Sequence, residues 1–239
     1  MALHSVVTSI TESAVSATRQ VLGPPCRKTA VSLASLAMLA GLGIASSAMA
    51  LDFDDIAKEG ELRFLAVHPE PQTYSYESHV NIDAQSLSSG RVGVSTCHRQ
   101  LDPIRKVVIA FNPKRLIGLS VVSHSGIEQV QAEGHHVTLT GVQKGANICI
   151  NLTSQALDRL DGTGKNFQLH AGPLMRRYLD GYLPMQARLH VHWPADLLKL
   201  ASVDPSPREG VRLTTSREGA ALDLIFAGRF TGSFLLRAP

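Results

Sequence analysis

The chain has 239 residues, with 23 Lys and Arg against 20 Asp and Glu, a formal net charge of +3. Three of those cations and one anion (Arg19, Arg27, Lys28 and Glu12) fall in residues 1–50, so the 189 residues beyond (239 less 50) hold 20 basic and 19 acidic groups. That near-neutral balance gives no electrostatic case for nucleic acid or an anionic membrane as partner.

Residues 1–50 have the parts of a removable secretory signal. Arg27 and Lys28 form a positive region, the apolar run Ala30 to Ala45 follows, and Ala48-Met49-Ala50 is a small-x-small cleavage pattern. The run falls short of the ~20 residues that span hydrocarbon. It is rich in Ala, Ser and Gly rather than Leu and Phe, so cleavage after Ala50 is expected rather than anchoring. No Arg pair precedes the run, which points to a bacterial Sec-type signal and a periplasmic or secreted product with no membrane span after cleavage. Cys26 leaves with the leader. Cys97 and Cys149 remain, and two cysteines in an oxidising compartment predict one disulfide.

Beyond the leader, alternation dominates. Tyr74, Tyr76, Val80 and Ile82 share a parity and His79, Asn81 and Asp83 the other, the mark of a half-buried strand. Ser88-Ser89-Gly90 signals a turn before a strand from Val92 to Cys97. Val107, Ile109 and Phe111 form the next, and Asn112 to Arg115 turns the chain back through Ile117, Leu119 and Val121. Glu133-Gly134 between Ile127–Ala132 and His136–Leu139 predicts a hairpin, and Ile148, Ile150 and Leu152 close the set. Each cysteine has the opposite parity to the apolar residues of its own strand. That favours a bond between neighbouring strands of one sheet over a bond through the middle of a sandwich.

Residues 155–160 are expected to make one or two helical turns, and Asp161 to Asn166 a loop. A domain or sub-domain boundary is placed here, between residues 51–156 and 157–239. In the next segment Gly172 suits a helix N-cap, Pro173 the first helical position and Gly181 the stop, so a short helix near 173–180 is expected. Arg176 and Asp180 would then fall four apart. Ala187, Leu189, Val191 and Trp193 alternate with Arg188, His190 and His192 in the cleanest strand of the chain. Val211–Leu213, Leu222–Phe226 and Phe230–Leu236 follow. Many short strands with turn signals and few helices predict a mainly β, antiparallel sandwich-like fold of one or two small β-domains.

Chemistry is sparsely signposted. There is no H-E-x-x-H, C-x-x-C, phosphate-cradling glycine loop or dinucleotide fingerprint. Ser123-His124-Ser125-Gly126 is not a nucleophile elbow. Two candidate sites stand out. A helix N-terminus with Arg176 and Arg177, flanked by Tyr178, Asp180 and Tyr182, would suit a small anionic ligand or another envelope protein, against the alternative that the segment is a packed corner between sheets where Arg176 or Arg177 satisfies Asp180 or loop carbonyls. His190 and His192 share a strand face ~7 Å apart and offer two ligands of a metal site. No cofactor is expected from the sequence, with a metal ion the alternative that the histidines leave open. The leading expectation is an exported, non-enzymatic protein that binds a partner or assists an envelope assembly. The alternatives are a protein binding a metal or small ligand through surface histidines, and a hydrolase with dispersed residues.

Overall fold

Period-two burial governs almost every element. The computed structural model describes residues 5–9 (backbone alone), 60–70, 73–179 and 181–239. Apart from Ser5–Ser9, the expected leader lies outside the described residues. The strands are β1 (Ser5–Ser9), β2 (Arg63–Phe64), β3 (Ser75–Asn81), β4 (Arg91–Leu101), β5 (Lys106–Ala110), β6 (Leu116–Glu133), β7 (His136–Gln155), β8 (Leu157–Arg159) and β9 (Asn166–Tyr178). They continue with β10 (Gly181–Leu183), β11 (Met185–His192), β12 (Lys199–Asp204), β13 (Val211–Thr215), β14 (Gly219–Ala227) and β15 (Phe230–Arg237). Among the described residues a single short helix, α1 (Ala84–Ser89), sits between β3 and β4. Asp83 caps it through the Ser86 amide, and Gly90 ends it in the left-handed region at φ 72°. The expected turn at Ser88-Ser89-Gly90 is the end of this helix.

The hydrogen-bonded order is β12-β15-β9-β1-β5-β7-β4-β3-β11-β14-β13. Most neighbours are antiparallel, while β3–β11 and β1–β9 are parallel. The strands fold into two layers. Tyr76, Ser78, Val80, Val94, Leu189 and Val191 of one inner face line a shared cavity with Leu169, Leu174 and Phe234 of the other. The outer face of β3 and β11 therefore points to solvent. The hairpin expected at Glu133-Gly134 joins β6 to β7, and these two strands are long and bulged at three places. That merges several of the short strands expected from the sequence.

Two local expectations need correction. Residues 157–159 form β8 and not helical turns, because their backbone pairs with β9. Residues 173–178 are strand and not helix. Gly172 has φ +84°, and a Cβ there would lie 2.6 Å from the carbonyl oxygen of Phe230, so the backbone is tucked against β15 and does not start a helix. Leu174 to Arg176 are all buried, which hides the alternation that would have marked a strand. Strands from residues 51–156 and 157–239 lie side by side, since β3 of the first stretch pairs with β11 of the second.

Candidate metal centre

Three strands bring the polar face together. In β3, Tyr76, Ser78 and Val80 are buried, which turns Glu77, His79 and Asn81 outward. In β11, Ala187, Leu189 and Val191 are buried, which turns Arg188, His190 and His192 outward. The parallel register then sets Arg188 beside Glu77, His190 beside His79 and His192 beside Asn81. β4 flanks this face with Cys97 opposite Glu77 and Arg99 opposite Ser75, and β14 flanks it with Asp223 opposite Arg188.

The result is a cluster of three imidazoles. The His79 and His190 rings stack with centroids 4.4 Å apart, and His192 lies 6.3 Å from His79 and 6.4 Å from His190. One ring nitrogen from each lies within 4.8 Å of the other two. Ligands of a tetrahedral ion held at 2.0–2.1 Å sit about 3.3 Å apart, so side-chain rotation of about 1.5 Å closes the set. The Glu77 carboxylate lies 3.3 Å from His79 Nε2 and 3.6 Å from His190 Nε2, and its other oxygen is 3.5 Å from Arg99. Desolvation resists ionisation of Glu77, but the hydrogen bonds and charges of His79 and Arg99 outweigh it and hold its carboxyl below the usual range. Partial burial and the neighbouring His79 lower the basicity of His190. A neutral imidazole is the form that ligates metal. Arg188 and Arg212 both pair with Asp223.

Sequence parity placed His190 and His192 on one face but gave no reason to add His79. No spacing rule links strands so distant in the chain. The disulfide is where parity put it. Cys97 and Cys149 are direct partners on adjacent antiparallel strands, with an S–S distance of 2.11 Å and Cα atoms 4.1 Å apart.

The Arg176–Tyr182 segment is strand and turn rather than helix, and it forms a packed corner. Arg176 is 5% exposed. It makes a fork to the Asp102 carboxylate at 3.1 and 2.6 Å, donates to the Pro184 carbonyl at 2.9 Å, and lies over the Tyr74 ring. A guanidinium so engaged closes a packed corner and has no donor face left toward solvent. With no helix, there is no helix N-terminus to attract an anion. Arg177 covers the Tyr182 ring, and Tyr178 and Leu179 are exposed at the β9–β10 turn. Asp180 lies outside the described residues. Replacing Arg176 by Met leaves Asp102 without its partner and is expected to cost about 3 kcal/mol in urea unfolding. An unchanged midpoint would show that the fork contributes nothing.

His98 is the other unusual titratable group. It is fully buried, with Nδ1 2.7 Å from the Tyr74 hydroxyl and Nε2 without a hydrogen-bond partner among the described residues. Burial pushes its pKa down to about 3 and pushes the Tyr74 hydroxyl up.

No known family matches the chain, and no curated protein does. Among solved structures, a mutant M1 zinc metallopeptidase from Deinococcus radiodurans bound to a Tyr-Ser-Ala substrate is similar at 11% identity and a TM-score of 0.36. The match covers 74% of this chain and 42% of that one. A two-domain M1 zinc metallopeptidase mutant bound to L-tryptophan matches at 12% identity and a TM-score of 0.34, over 74% and 43%. The chain thus spans less than half the length of these proteins, and likeness at this level carries no argument about activity.

Proposed function

We propose that this is an exported metal-binding protein that holds a first-row divalent transition ion through His79, His190 and His192. The observation that carries the reading is the convergence of three imidazole nitrogens within 4.8 Å on one solvent-facing surface of the sheet. Imidazole donors suit zinc, copper and nickel, and three of them leave an ion at least one open position. The rigid β3–β11 ladder fixes the Cα positions, so binding needs only side-chain rotation. The Cys97–Cys149 disulfide is compatible with an oxidising compartment. Among the described residues no helix is long and apolar enough to cross a membrane.

The test is calorimetric titration of the purified protein with zinc and with copper(II), beside the His79→Ala/His190→Ala/His192→Ala variant. We expect one site per chain in the parent and at least a hundredfold weaker binding in the triple variant, with unchanged thermal unfolding. Equal affinity in the two proteins would sink the reading. The reading of a partner-binding or assembly protein has less support, because the side chain central to it, Arg176, is buried against Asp102.

A further inference from the structure

Glu77, which contacts His79 and His190, also lines a second feature. Between β4, β3 and β11 runs a cleft of about 140 Å³ lined by Ser75, Tyr76, Glu77, Arg99, Gln186 and Arg188. The side chains of Arg99 and Arg188 are each about half exposed, at 52% and 47%. Glu77 stands between the imidazoles and the guanidinium of Arg99, with one oxygen toward each. The geometry there already accommodates a carboxylate that meets imidazole on one side and guanidinium on the other.

Resting on the metal reading above, we propose that the loaded site takes a small oxyanion, a carboxylate or a phosphate, held between the ion and the guanidiniums of Arg99 and Arg188. Charge supports this. Among the described residues, ion pairs beside the site join the guanidiniums of Arg99, Arg188 and Arg212 to the carboxylates of Glu77 and Asp223, and with three neutral histidines a divalent ion adds two positive charges. Positive charge then exceeds negative by three. Coordination supports it too, because three imidazoles leave a position open and His79 and His192 are exposed, so no second layer of protein fills it. Guanidinium groups at the rim offer paired donors that match either oxyanion. Glu77 then acts as an internal competitor, repelling the incoming anion and sharing its donors.

Cobalt(II) bound to the full-length protein supplies a visible spectrum that responds to coordination. Acetate and inorganic phosphate are titrated in turn, and the same titrations are repeated on the metal-free protein. We expect a saturable spectral change with at least one of the two, and anion binding about tenfold or more tighter with metal than without. Arg99→Gln/Arg188→Gln should keep the cobalt affinity and lose about tenfold in anion affinity, while Glu77→Gln should tighten it. Thermal unfolding of each variant reports whether the fold is intact. Failure to bind cobalt would sink the metal reading itself. Cobalt binding with neither anion altering the spectrum, or with the double arginine variant binding the anion as the parent does, would overturn the oxyanion proposal alone.

Discussion

Replacing His98 by Gln is expected to flatten the acid dependence of stability by up to one proton between pH 6.5 and 3. Burial lowers the folded-state pKa of His98 from 6.5 to about 3. In the unfolded chain the imidazole takes a proton as the pH falls below about 6.5, whereas in the folded protein it stays neutral until about pH 3. The folded state is therefore favoured fully above 6.5 and loses ground steadily down to 3. The slope approaches 1.36 kcal/mol per pH unit, about 5 kcal/mol over the window and about 2 to 3 kcal/mol by pH 4.5.

His170 and His190, also lowered by burial, push in the same direction. The carboxylates of Asp158, Asp83 and Asp161, held low by hydrogen bonds from Arg115, Ser86 and Asn166, add their loss at more acidic pH. Subtracting the variant's slope from the parent's isolates His98. The measurement is urea unfolding at a series of pH values from 7.5 to 4. Parallel curves for parent and variant would mean that His98 binds its proton in the folded state, with Nε2 reached by water.

The second large effect is expected from the disulfide. Cys97 and Cys149 are 52 residues apart in the chain. Closing a loop of that length restricts the unfolded ensemble by about 4 kcal/mol in the chain-entropy account. Reduction with dithiothreitol, or Cys97→Ala/Cys149→Ala, should lower the stability by about that amount. The midpoint of thermal unfolding should drop by roughly 10 °C for a chain of this size. The native structure should survive reduction, because a core that includes Ile109, Leu139, Ile148 and Phe226, each almost fully buried, does not depend on the bond. Identical midpoints with and without reductant would show that the thiols are unlinked.

The two parts of the histidine cluster differ in how readable they were. His190 and His192 alternate with Leu189, Val191 and Trp193 on a single strand, and one strand's alternation is enough to place both on the wet face. His79 alternates equally clearly with Tyr76 and Val80. Yet nothing local states that β3 will lie parallel to β11 with His79 beside His190. That pairing joins distant parts of the chain and is decided by which apolar faces bury one another.

The same division runs through the fold. Period-two burial, the hairpin at Gly134, the mainly β class and the face on which each cysteine lies were all determined by the sequence, because each depends on residues near one another along the chain. Residues 173–178 went the other way. A glycine, a proline and an acid–base spacing of four spelled a helix, and the tertiary structure made a strand. Pairing with β15 and β10 engaged the backbone of that segment along one edge, and Arg176 found Asp102 at the packed corner. Local propensity is worth tenths of a kcal/mol per residue, whereas a buried strand gains a full set of backbone hydrogen bonds and apolar contacts. Where the two disagree, only the assembled sheet decides.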